Sequence, residues 1–164
     1  MKTLLPFLAC LLLAGCDFTV PLAETPSLDL DKSALGLWEK AKADGGQTER
    51  LLVLPLDKRE YLVAFTGNGT DSMYARGWLC KVADLTLVQL KWIGNSKGEA
   101  PDDNRVYQFA SFTVSGDQLS LRLLNPEIVG RDAKSSADLT KAIEANKSSP
   151  ALFREAMAFT KAKE

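Results

Sequence analysis

Between Gly36 and Leu123 the apolar positions come in short runs, many of them alternating with polar ones and separated by glycine- and aspartate-rich turns. That is the pattern of antiparallel strands. Gly36 to Lys40 predicts a weak first strand, and Gly45-Gly46 a turn after it. Arg50 to Leu56 (RLLVLPL) is a continuous apolar run, which suits a strand buried on both faces. Asp57-Lys58 turns the chain, and Glu60 to Thr66 alternates with Tyr61, Val63 and Phe65 on one side. Gly67-Asn68-Gly69 predicts a hairpin, because these residues accept positive φ at low cost. Met73 to Val82 and Leu85 to Ile93 follow, with Gly77 at a bulge or a close contact. After a polar loop from Gly94 to Asn104, Val106 to Val114 places Val106, Ala110, Phe112 and Val114 on one face. Ser115-Gly116-Asp117 is a turn, and Leu119, Leu121 and Leu123 alternate with Ser120 and Arg122 in a half-buried strand. The expectation is a mainly β (α+β) fold: an antiparallel meander of about seven strands, forming a small barrel or a curled sheet.

The period then changes. Ser135-Ser136-Ala137-Asp138 resembles a capping box ahead of Leu139, Ala142 and Ile143 at helical spacing. Ser149-Pro150 reads as a second helix start, with serine as cap and proline in the first turn. Leu152, Phe153, Ala156, Met157 and Phe159 would form its apolar face, and Lys161 and Lys163 would suit its C-terminus. One or two C-terminal helices are expected to seal the sheet or to meet a partner.

The N-terminus follows a third pattern. Lys2 precedes an apolar run from Leu4 to Ala14, broken by Pro6. The run is shorter than the roughly 20 residues of a spanning helix and fits the hydrophobic core of a signal peptide. Leu13-Ala14-Gly15-Cys16 follows it and resembles the lipobox of bacterial lipoproteins. The resemblance implies cleavage before Cys16, a diacylglyceryl thioether on its sulfur and a fatty acyl chain, such as palmitate, on the new amine. Two or three chains hold a protein stably on a bilayer where one holds it marginally. Asp17 resembles the residue that follows the cysteine in enteric lipoproteins retained at the inner membrane. The resemblance therefore implies a lipid-anchored, periplasm-facing protein of the cell envelope, with the inner membrane favoured over the outer. Pro21, Pro26, Ser27, Asp29 and Asp31 then read as an irregular tether, the two aspartates as caps. The expected organisation is a signal peptide at 1–15, a lipidated flexible tether at 16–33, and a single β-rich domain at 34–164.

Composition narrows the function. Cleavage would leave 149 of the 164 residues, enough for one domain with a core. It would remove Lys2 and no acidic residue, moving the formal net charge from −1 to −2. No basic run or basic stripe with interleaved aromatics is present, so nucleic acid is not an expected partner. The sequence contains no histidine, which excludes Ser-His-Asp and Cys-His catalysis and imidazole-based zinc sites. Cys80 is left without a partner once Cys10 is removed and Cys16 acylated, so neither a disulfide nor a CxxC site is expected. No metal or cofactor is expected, and no group of residues suggests an enzyme.

Gly36-Leu37-Trp38, just inside the first strand of a meander, resembles the Gly-x-Trp of lipocalins. In that family the tryptophan closes the barrel floor and often packs on an arginine from the last strand, which implies Arg122 as its partner here. The second lipocalin hallmark, Thr-Asp-Tyr late in the chain, is absent. Trp38, Tyr74, Trp78, Trp92 and Tyr107 are candidate lining residues of an apolar pocket, and an ordinary core explains them as well. Two readings of function follow. One is a non-enzymatic module that holds a lipid, fatty acid or other apolar molecule. The other is an interaction or assembly protein that docks an envelope complex.

Overall fold

The computed structural model describes residues 16–41, 48–67 and 71–163. Eight antiparallel strands close on themselves: β1 (Gly36–Lys40), β2 (Glu49–Pro55), β3 (Tyr61–Thr66), β4 (Ser72–Val82), β5 (Leu85–Asn95), β6 (Tyr107–Ser115), β7 (Gln118–Leu123) and β8 (Met157–Lys161). Each strand pairs with its sequence neighbours, and β8 closes the ring by pairing with β1 at Trp38↔Lys161 and Glu39↔Thr160. Closure removes the free sheet edges that a curled sheet would expose. Two short helices, α1 (Pro126–Val129) and α2 (Ser136–Asn146), lie in the connection between β7 and β8.

Alternation decides what faces inward. Trp38, Leu51, Val53, Tyr61, Val63, Ala75, Leu79, Val88, Leu90, Ala110, Leu119, Leu123 and Phe159 form the barrel interior. Gly77 sits where a Cβ would come within 2.9 Å of the Leu90 side chain, so the expected close contact is there; the register shift lies at Tyr74/Ala75 instead. A second core lies outside the wall. Phe18, Val82, Leu87, Phe109, Leu124, Val129, Leu139, Ile143 and Leu152 meet there, between the outer faces of β4 to β6 and the helical connection. The capping box forms as expected: the Ser135 hydroxyl accepts from Asp138 N at 3.1 Å and turns Leu139 and Ile143 of α2 onto the wall.

The structure corrects several expectations. Ser149-Pro150 starts a turn and no helix, and Met157 to Lys161 is the eighth strand, because Phe159 fills the interior and its backbone completes the ring. The RLLVLPL strand is buried on one face only, with Leu54 41% exposed; two-sided burial belongs to β4, β5 and β6. Residues 16–31 are no loose tether. Phe18 is fully buried, pairs with Tyr107 at 3.2 and 3.0 Å, and packs on Phe109 with ring centroids 5.0 Å apart. Leu22 N and Ala23 N donate to the buried Gln89 Oε1 at 2.6 and 3.1 Å, and Leu30 N donates to Lys58 O. The segment is a strap across the outer wall, because its apolar residues cover strand faces that would otherwise meet water. At its end Asp31 caps the 3-10 turn Lys32–Ala34, its carboxylate accepting from Ser33 N at 2.9 Å. The turns expected at Gly45-Gly46 and Asn68-Gly69, and Leu13 to Gly15 of the lipobox, lie outside the described residues.

Candidate functional site

The two ends of the barrel differ. At the floor, Trp38 is fully buried and donates Nε1–H to Ala34 O at 2.8 Å. Tyr61 accepts from Asp31 N at 2.8 Å and donates to Asp31 O at 3.0 Å, which fixes the 3-10 turn under the strands. The floor tryptophan expected from Gly-x-Trp is therefore in place, but its cationic neighbour is Lys161, with Nζ 5.4 Å from the ring centroid. Arg122 faces outward, lies over the Phe153 ring at 5.5 Å and donates to Arg154 O. The outward parity of Arg122 follows from the inward Leu121 and Leu123 beside it.

At the other end the interior is open. A cavity of about 340 Å³ reaches down from the mouth. Leu51, Val63, Phe65, Met73, Leu90 and Trp92 line one part of it, and Leu121, Leu123, Met157 and Phe159 the other. A pocket of about 50 Å³ lies nearer the floor against Val53, Tyr61, Phe112 and Leu119; the two share Leu51, Val63, Leu90 and Leu121. Ligand pockets usually span about 300–1,000 Å³, so the cavity suits a slim molecule such as one extended acyl chain.

The mouth is polar. Gln108 is buried at the lip and exchanges two hydrogen bonds with Asp17, 3.3 Å from Asp17 N to Oε1 and 3.0 Å from Nε2 to Oδ2. Arg154 pairs with the same carboxylate at 3.3 Å. Arg105, Arg131 and Asp103 complete the rim, and neither Arg105 nor Arg131 has an ion-pair partner among the described residues. An apolar shaft under a rim with free guanidinium groups is complementary to a chain that carries an anionic head.

Cys16 also lines this mouth. Burial, then the nearby Asp103 and Asp17 carboxylates, push its thiol up to about 12. A thiol held protonated is a poor nucleophile, so this sulfur is unsuited to catalysis or metal binding in its free form. Cys80 is buried on the outer wall, and its thiol is pushed up to about 11 by burial. Among the described residues no cluster of three or more histidine, cysteine or carboxylate side chains could hold a metal.

The aromatic candidates scatter. Trp92 lines the cavity; Trp38 is buried in the barrel core and lines neither the cavity nor the smaller pocket. Trp78 lies on the outer wall beneath the strap and donates Nε1–H to Ala23 O at 3.2 Å. Tyr107 is on the outer face with Lys91 Nζ 5.9 Å from its ring centroid, and Tyr74 sits outside with Leu62 and Ile93. The sequence reading missed Gln108 and the arginines of the rim. Alternation in β3 and β7 already pointed Phe65, Leu121 and Leu123 inward, whereas nothing local marks Arg105, Arg131 or Arg154.

No family model, curated protein or solved structure matches the chain. The architecture itself is an eight-stranded up-and-down barrel, each strand paired with its sequence neighbours and β8 with β1. No helix among the described residues is long and apolar enough to cross a membrane.

Proposed function

We propose that this protein is a cell-envelope lipoprotein, anchored through acylated Cys16, whose lipocalin-like barrel holds a slim apolar molecule with an anionic head. The observation that carries the reading is the cavity: an apolar interior, one closed floor and a rim bearing Arg105 and Arg131. The role is non-enzymatic. The barrel shields the chain of the ligand from water, at about 0.8 kcal/mol for each methylene buried, and the rim selects the head. The reading as an assembly protein drew on the lack of a catalytic or ligand constellation together with membrane tethering, with a sheet edge or the C-terminal helix as the docking surface; the ring is closed, the C-terminal segment is β8, and the apolar residues of α2 are turned onto the wall.

The lipocalin likeness supports ligand holding, and the lipobox supports envelope location on the periplasmic side. The preference for the inner membrane rests on Asp17 alone. That residue also has a structural task, since its carboxylate joins Gln108 to Arg154.

Two measurements test the proposal. Cys16→Ser is expected to move the protein from the membrane to the soluble fraction; retention in the membrane would refute the anchor. The mature lipoprotein in mild detergent is expected to bind a fluorescent fatty acid, and Val63→Phe, which narrows the shaft, to weaken binding on the order of tenfold, a change of about 1.4 kcal/mol. Equal binding by a folded Val63→Phe protein would place the ligand elsewhere.

A further inference from the structure

We propose that the open end of the barrel is the membrane-docking face, resting directly on the phospholipid surface so that the cavity opens onto the leaflet. The inference builds on the acylation of Cys16 argued above. Asp17, the next residue, is already fixed to the lip through Gln108 and Arg154, and Phe18 is fully buried in the wall. The attachment sulfur therefore has about one residue, or roughly 3.6 Å, of free chain. Residues 17–31, which a loose tether would need, are used up against the strands and the floor.

Acyl chains leaving the Cys16 sulfur must enter the bilayer at once. The rim is then held at the interface, and the floor stands about 20 Å further from it, the axial rise of some eight residues in a tilted strand. Charges of both signs surround the attachment point. Arg105, Arg131 and Arg154 lie on the rim, with Asp17 matched to Arg154. Glu99, Asp102 and Asp103 line the cleft beside Cys16. Arg105 shares that cleft with these carboxylates and with Cys16, so the pose is set by the attachment point and not by charge. In this pose a chain passes from the leaflet into the barrel without crossing water, and the floor end faces the periplasm.

The test uses the full lipoprotein in phosphatidylcholine–phosphatidylglycerol vesicles that contain a headgroup spin-labelled lipid. A thiol-reactive fluorophore is placed at the rim by Asp132→Cys or at the floor by Lys32→Cys; both residues are exposed, and Cys80 is buried. The rim probe is expected to lose most of its emission and the floor probe to keep its own. A protein that floats with the vesicles while its rim probe stays bright, or while the floor probe is the one quenched, overturns the docked pose and leaves the anchor intact. A protein that does not float removes the anchor itself, and the docked pose with it.

Discussion

The Gln89 side chain shows what a single residue does here. It is fully buried on the outer wall, accepts from Leu22 N and Ala23 N, and donates Nε2–H to Ala23 O at 3.0 Å. Removing the amide would strand backbone groups of the strap, each costing about 1–3 kcal/mol. Gln89→Leu is expected to lower stability by about 2–4 kcal/mol in denaturant unfolding and to speed proteolysis within residues 19–27. Nothing local revealed this, since a lone glutamine in an apolar strand reads as a solvated position until the strap is known to cover it. Cys80 and Tyr61 give a second expectation. Burial raises the thiol from its ordinary 9.0 to about 11 and the phenol from 10.0 to about 12. Both groups are neutral when protonated, so the unfolded chain releases these protons first and stability falls as pH rises. The decline should begin near pH 9 and continue to about 12. Cys80→Ala should remove the part between about 9 and 11, visible as a flatter fall of Tm over that range.

At the scale of elements, the strands of the meander were legible because alternation and turn residues agree with one another along that stretch. Seven of the eight emerge within a residue or two of the expected bounds, and the capping box starts α2 where Ser135 places it. β8 was not legible. Between Ser149 and Lys163 the Ser-Pro start and four alanines favour a helix locally, but pairing with β1 and β7 and the burial of Phe159 override that preference. Two substitutions separate strand from helix. Phe159→Ala is expected to cost about 3–5 kcal/mol as a core truncation. Ala158→Thr, on the exposed face, should be neutral or slightly stabilising, because threonine suits a strand and disfavours a helix. The two-sided burial assigned to RLLVLPL also has a physical reason. An apolar run shows that a strand is buried, but which strands are covered outside depends on where the strap and α2 land.

For the whole molecule, Trp38 is buried at the end of the barrel next to the 3-10 turn, donating to Ala34 O with Lys161 over its ring. The mouth could not be read from sequence, because it joins residues as distant as Asp17, Gln108 and Arg154. The same mouth joins the proposed attachment point to the proposed ligand site, and that coincidence gives the fold its functional sense. The strap fixes Cys16 at the rim, the rim offers guanidinium groups, and the shaft beneath them is apolar. The most direct measurement is native mass spectrometry of the mature lipoprotein, extracted gently from its own membranes. The expected result is a reproducible added mass, beyond the covalent acyl chains, that leaves on denaturation and is lost in Val63→Phe. A folded wild-type protein that carries only its anchor would contradict it.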